Sequence, residues 1–264
     1  MNLDARLAGT VTLVTGGGSG IGRGGCERIA AEGGAVAVAD IRPALAEEVA
    51  AAVREQGGSA VAIACDVADE EQVAAAVETT IDELGSLTGL VANAGTAGLG
   101  WVHETRVEDW DFVLGVNLTG PFLCCKHSIP YMLDAGHGSI VMTSSIAGSV
   151  AGAGGSAVSY SVSKAGVIAL ARQIAVDYGE RGIRANAIQP GGVDGSNLGA
   201  HAAEGGRAEG LQRAKGEGDE GEEPLGVGGA AAGERVEPVG RDTQLLVQPE
   251  QPARGRRQDG HARR

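Results

Sequence analysis

Tyr160 and Lys164 stand four residues apart in the run Tyr160-Ser161-Val162-Ser163-Lys164. On a helix that spacing puts a phenol and an ammonium on one face. A free tyrosine has a pKa of about 10, and a fixed positive charge beside it favours the phenolate, so such a pair can act as a proton-transfer unit. The whole chain holds three tyrosines and three lysines, so chance would produce the spacing on the order of a few per cent of the time. A solvated lysine beside a half-buried tyrosine has the same signature, so the neighbouring motifs carry the decision.

The first of these is Thr15-Gly16-Gly17-Gly18-Ser19-Gly20-Ile21-Gly22, directly after a short apolar run and at the opening of a helix. Glycines let the backbone turn tightly and let a pyrophosphate reach the free N–H groups and positive dipole end of that helix. Gly16, Gly18, Ser19, Gly20, Ile21 and Gly22 are therefore candidates to cradle a dinucleotide. About twenty residues on, Asp40 with Ile41 closes the second strand, where a carboxylate can accept hydrogen bonds from both ribose hydroxyls of an adenosine. The same charge repels a 2′-phosphate, so NAD is preferred over NADP, and Arg42 nearby tempers the preference. Asp66-Val67 ends the third strand and Asn93-Ala94-Gly95 the fourth. Singly each reads as a loop or cap; with the glycine loop they line one crevice at the carboxyl edge of a sheet.

The elements that must hold these residues follow from an alternation of short Val/Ala/Ile runs with longer amphipathic or Ala-rich segments. Strands are expected at 11–14, 35–39, 60–64, 89–92, 139–143 and 184–188, and helices at 21–31, 43–56, 70–84, 107–133 and 157–178. Six strands joined by five crossovers predict an α/β doubly wound parallel sheet in three αβα layers, a single domain over residues 1–196. After about Ser196 the composition changes. Residues 201–264 hold no aromatic and no Ile, but thirteen Gly and 22 charged residues. Leu245-Leu246-Val247 is the one strand-like apolar run left there. Residues 197–264 thus read as a divergent, poorly ordered tail.

A formal charge of −13 argues against a nucleic-acid partner. With no apolar leader and no run of eighteen apolar residues, the expectation is a cytoplasmic protein without a membrane partner. Cys26, Cys65, Cys124 and Cys125 lack zinc-like spacing and read as reduced, packed thiols; His103, His127 and His137 fall in no metal-binding pattern.

In this order the motifs resemble those of the short-chain dehydrogenase/reductases, of the compact kind that is a single Rossmann domain. The resemblance covers about residues 5–196 and rests on the Thr15 to Gly22 loop, Asp66, Asn93-Ala94-Gly95, Asn117, Ser145, Tyr160 with Lys164, and Pro190-Gly191. It implies Tyr160 as general acid/base and Lys164 as ligand of the nicotinamide ribose that also lowers the tyrosine's pKa. Ser145 is implied to orient the substrate oxygen, with Ser144 the competing serine, and Asn117 to support a proton relay through water. Pro190, Gly191 and Val193 join the cofactor-binding set, and there is no metal. The implied reaction is hydride transfer between NAD(H) and a small secondary alcohol or the matching ketone, in a homodimer or homotetramer.

Two other readings compete. One is a regulatory or scaffold protein that binds NAD without turnover, against which the intact Ser145, Tyr160 and Lys164 argue. The other is an inactive product with a disrupted C-terminus. Family members usually follow the Pro-Gly loop with a substrate-covering helix and a last strand near an Asp-Gly-Gly. Here Gly195-Ser196 stands where a threonine is common, and the Gly/Glu/Arg/Gln-rich residues beyond are what a reading-frame change in a GC-rich coding sequence would produce.

Overall fold

The computed structural model describes residues 5–150 and 157–193. Six strands, β1 (Val11–Thr15), β2 (Ala35–Asp40), β3 (Ala60–Ala64), β4 (Gly89–Ala92), β5 (Gly138–Thr143) and β6 (Ile183–Ile188), form one parallel sheet in the order β3-β2-β1-β4-β5-β6. This is the doubly wound Rossmann-type sheet expected. Helices α1 (Gly20–Ala31), α2 (Pro43–Glu55), α3 (Glu70–Leu84), α4 (Val107–Leu114), α5 (Gly120–Asp134) and α6 (Val158–Tyr178) make the crossovers. Residues 151–156 and the tail at 197–264 lie outside the described residues.

The strands are apolar on both faces because both faces are covered. Successive side chains alternate between two cores. Val14, Val36 and Val38 pack with Cys26 and Ile29 of α1 and Val49 and Val53 of α2. Leu13, Ala37, Leu90, Ile140 and Met142 face the other way, onto Val73 and Val77 of α3, Leu123 and Ile129 of α5 and Val167 and Ala171 of α6. All four cysteines are buried, and burial pushes the thiol of Cys26 up to about 12 and that of Cys65 up to about 11.

Local chemistry sets the element ends. Pro43, with its fixed φ, starts α2. The Asp69 carboxylate accepts from the N–H groups of Glu71 at 3.0 Å and Gln72 at 3.1 Å, capping α3, which closes on Gly85 in the left-handed region at φ 83°. Register brings the strand ends together: Thr15 of β1 lies opposite Ala39 of β2 and Ala92 of β4. Everything that follows β1, β2, β4 and β5 therefore emerges along one edge.

The structure departs from the expected continuous helix over 107–133. Between α4 and α5 the chain runs through a π-helical turn, Gly115–Thr119. Pro121 has no N–H to give to the carbonyl four residues back, that of Asn117, and the Gly120 N–H reaches back five residues to the Gly115 carbonyl. Two smaller differences concern β3, which stops at Ala64 so that Asp66 stands two residues beyond it, and α6, which starts at Val158 rather than Ala157.

Candidate active site

The loop between β1 and α1 is shaped by glycine. Gly16 has φ 63°, and a Cβ there would lie 2.9 Å from the Ala94 Cα; at Gly22 it would overlap the Gly16 carbonyl outright. The loop is thereby folded tightly under α1 and against the Asn93-Ala94-Gly95 segment. Ser19 stands at the N-cap of α1 in an extended conformation, its side chain accepting from no N–H of the helix, and the first turn holds no acidic residue. The first N–H groups of a twelve-residue helix, and its positive dipole end, are left for an anion. Gly20 faces open space, with nothing within 4 Å of where a Cβ would stand. These features fit a pyrophosphate, which needs close backbone approach and free N–H donors.

Asp40, 5% exposed, ends β2 beside this loop. Its Oδ2 accepts from the Gly18 N–H and its Oδ1 from the Arg42 N–H, both at 3.0 Å. The Arg42 guanidinium reaches over the same carboxylate, with Nε 3.5 Å from Oδ1 and Nη2 donating to Ser19 Oγ at 3.2 Å. Ile41 turns to solvent. Asp66 is engaged locally, its Oδ1 accepting from the Ala68 N–H at 2.9 Å, and Val67 is buried.

Asn93 ties three strands together. Its N–H donates to Thr15 Oγ1 at 3.1 Å, its Nδ2 to the carbonyls of Thr15 and Gly16 at 3.2 and 3.3 Å, and its Oδ1 accepts from Thr143 Oγ1 at 3.1 Å. Asn117, fully buried in the π turn, clamps the next stretch. Its Oδ1 accepts from the Thr96 N–H at 2.7 Å and its Nδ2 donates to the Thr96 carbonyl at 2.9 Å. Replacing Asn117 with alanine strands a buried N–H and a buried C=O together. The expected loss is about 2–4 kcal/mol of unfolding free energy, read by urea titration with far-UV circular dichroism, and an unmoved midpoint would contradict the clamp.

Tyr160 is half-buried and Lys164 is 3% exposed on the early turns of α6. The Lys164 Nζ lies 5.7 Å from the centre of the Tyr160 ring and donates to the Thr143 carbonyl at 2.7 Å. A Cβ on Gly95 would stand 3.2 Å from Asn117 Oδ1 and 3.4 Å from Lys164 Nζ, which places the ammonium, the amide and the β4 loop around one point. Burial pushes the Lys164 ammonium down to about 8.

The two adjacent serines separate cleanly. Ser144 donates its hydroxyl to the Lys164 carbonyl at 2.7 Å, fastening α6 to the end of β5. Ser145 caps the turn Ile146–Gly148, its Oγ accepting from the Ala147 N–H at 3.2 Å, and among the described residues its own O–H has no acceptor. Pro190 is drawn to that turn, its carbonyl accepting from the Ile146 N–H at 3.1 Å, whereas Gly191 and Val193 are exposed. The edge therefore collects the glycine loop, Asp40, Asn93, Ala94, Gly95, Asn117, Ser145, Lys164 and Pro190, while Ile41 and Val193 stand in solvent and Asp66 faces its own turn. Thr15, Thr96 and Thr143 hold this edge together, and their spacing gives no sign of it. Among the described residues no group of three His, Cys, Asp or Glu could hold a metal ion.

Residues 10–205 match the family model described as short chain dehydrogenase. The 2-(S)-hydroxypropyl-CoM dehydrogenase 3 of Xanthobacter autotrophicus is 39% identical over 194 residues, 74% of this chain and 75% of that one. The cis-4-hydroxycyclohexanecarboxylate dehydrogenase of Sinomonas cyclohexanicum is 45% identical over 189 residues, 71% of this chain and 75% of that one. Among solved structures, a 3-ketoacyl-ACP reductase from Sinorhizobium meliloti superposes with a TM-score of 0.69 at 36% identity, covering 72% of this chain and 74% of that one.

Proposed function

Since the chain belongs to the short-chain dehydrogenases, oxidoreductases of CH–OH groups that use a nicotinamide cofactor, we propose that it moves hydride between NAD(H) and a secondary alcohol or the matching ketone, with Tyr160 as general acid/base. The observation that carries this reading is the placement of Tyr160 and the buried Lys164 on one helix, 5.7 Å from ring centre to ammonium, at the edge that also carries the glycine loop.

NAD, when bound, supplies the carbon that accepts or gives the hydride. The chain's own groups do the rest. The N–H groups that open α1 hold the pyrophosphate, and Asp40 accepts from the adenosine ribose once Arg42 swings aside. Lys164 has one donor on the Thr143 carbonyl and two more N–H groups for the nicotinamide ribose and the phenol side of the site. Ser145 donates to the substrate oxygen and stabilises its developing charge. Tyr160 takes the hydroxyl proton as the hydride leaves the carbinol carbon, and returns it in the opposite direction.

The test is to titrate the full chain with NADH and NADPH by fluorescence and then to screen secondary alcohols and ketones for nicotinamide absorbance change. NADH is expected to bind at least about tenfold more tightly than NADPH, a difference of about 1.4 kcal/mol, and Asp40→Ala to erase that preference. Equal affinity of the parent for both would refute the assignment of Asp40, and binding without hydride transfer to any panel member would refute the reaction.

The same reading extends to assembly and domain limits. Phe122 and Tyr131 of α5 and Val162 and Val176 of α6 are exposed, which supports a homodimer or homotetramer packed through these helices, measurable by sedimentation. Among the described residues no helix is long and apolar enough to cross a membrane. The dinucleotide-binding domain is proposed to be residues 1–196. The family match stops at residue 205, close to the change in composition, and supports the proposal that 197–264 were read in a shifted frame. Sequencing the encoding DNA and translating its other frames tests this: a dehydrogenase-like terminus in neither would sink it.

A further inference from the structure

Ser163, between the two residues of the proton-transfer pair, is fully buried and makes two hydrogen bonds with different partners. Its Oγ donates to the Tyr160 carbonyl at 2.7 Å, three residues back along α6, and accepts from Asn117 Nδ2 at 3.2 Å. Asn117 in turn is clamped at two points to the backbone of Thr96. One continuous path therefore runs from the loop after β4, through the π turn, to the peptide carbonyl of Tyr160. One turn along the same face of α6, Gly166 lets the helix approach Leu118 so closely that a Cβ would stand 2.9 Å from both leucine methyls. The apolar contact permits sliding; the hydroxyl supplies a directional stop.

We infer that Ser163 is a positioning residue, which fixes the height of α6 against Asn117 and so sets where the Tyr160 phenol stands relative to Lys164 and the substrate oxygen. This rests on the reading of Tyr160 as acid/base. The geometry assigns the task to a hydroxyl because only a group that donates and accepts can serve a carbonyl and an amide N–H at once. Alanine removes both bonds, yet Asn117 Nδ2 keeps its bond to the Thr96 carbonyl, so the clamp on the β4 loop survives. A proton donor held about 1 Å from its productive position costs up to about a hundredfold in rate.

The test compares the full-length parent, Ser163→Ala and Ser163→Thr. The alanine variant is expected to lose about tenfold or more in kcat, with its kcat pH profile displaced and its NADH Kd within about twofold of the parent, a change too small to count as lost binding. Threonine, which keeps the hydroxyl, is expected to return the profile to that of the parent. A second readout needs no turnover: the absorbance of ionising tyrosine, isolated as the difference from the same protein carrying Tyr160→Phe, should have a different midpoint in the alanine variant from that in the parent. An inactive parent refutes the proposed reaction and leaves this absorbance measurement to decide the role of Ser163. An alanine variant with the parent's pH profile and the parent's Tyr160 midpoint overturns the inference, whatever its kcat.

Discussion

Tyr160→Phe is expected to lower kcat by about 10²–10⁴-fold, the range that a positioned general acid/base contributes, while leaving NADH affinity and thermal stability close to those of the parent. The substitution deletes one oxygen and keeps the ring. The ring is half-buried at the start of α6, and that helix is fixed by groups other than the phenol: Ser144 Oγ on the Lys164 carbonyl, Ser163 Oγ on the Tyr160 carbonyl and Val167 and Ala171 in the core. Nothing that holds the helix is lost. The dinucleotide contacts proposed for the glycine loop and Asp40 lie on other elements and are likewise untouched. A loss confined to kcat therefore isolates proton transfer from binding. A phenylalanine variant that turns over at the parent's rate would remove Tyr160 from the mechanism, and one that also loses NADH affinity would mean that the phenol holds the cofactor rather than the proton.

How far the sequence reaches this site differs from residue to residue, for physical reasons. Val11, Val14, Val36 and Val38 are legible as strand because a parallel strand covered on both faces must be apolar throughout, and the core shows them buried. The glycine loop is legible because its spacing expresses backbone geometry: Gly16 at φ 63° and the absent Cβ of Gly22 are demands on the main chain itself. Asn117 is harder. A π turn keeps the chain helical from one segment to the next, so α4 and α5 read as one helix; the trace it leaves is Pro121, four residues beyond the carbonyl it cannot serve. The choice of Ser145 over Ser144 rests on the family resemblance, because residue type alone does not separate two adjacent serines, whose side chains at a strand end point to opposite sides. One is fastened to α6 and the other caps the turn toward the open edge. Lys164 donates to the backbone of Thr143, and two of the three hydrogen bonds of the Asn117 side chain go to the backbone of Thr96; a backbone partner leaves no mark in residue type at all.

Lys164→Met carries the other large effect, and its sign on stability depends on pH. Lys164 is 3% exposed, and the one hydrogen bond its ammonium makes among the described residues, to the Thr143 carbonyl, does not replace the hydration of an ammonium. Burial accordingly pushes its pKa down to about 8 in the folded chain, against about 10.4 for a free lysine. Below pH 8 both folded and unfolded chains carry this proton, and the fold bears the full penalty of a buried charge. Between about 8 and 10.4 the unfolded chain binds more protons than the folded one, so the stability of the parent rises with pH; above that window the penalty is gone. Methionine fills similar volume and does not titrate. Measured by urea unfolding, the parent should therefore gain on Lys164→Met by about 3 kcal/mol between pH 7.5 and pH 10.5. A difference that stays flat across that interval would mean that Lys164 is not a desolvated cation in the folded chain. Activity should fall with the substitution at every pH, because methionine offers no N–H to a ribose hydroxyl and no charge to the phenol of Tyr160. The chain thus holds the ammonium at a cost in stability near neutral pH that a structural lysine would have no reason to incur. On the proposed mechanism the site would retain that ammonium for the same property that destabilises the fold: a poorly hydrated donor with a pKa of about 8, 5.7 Å from the Tyr160 ring.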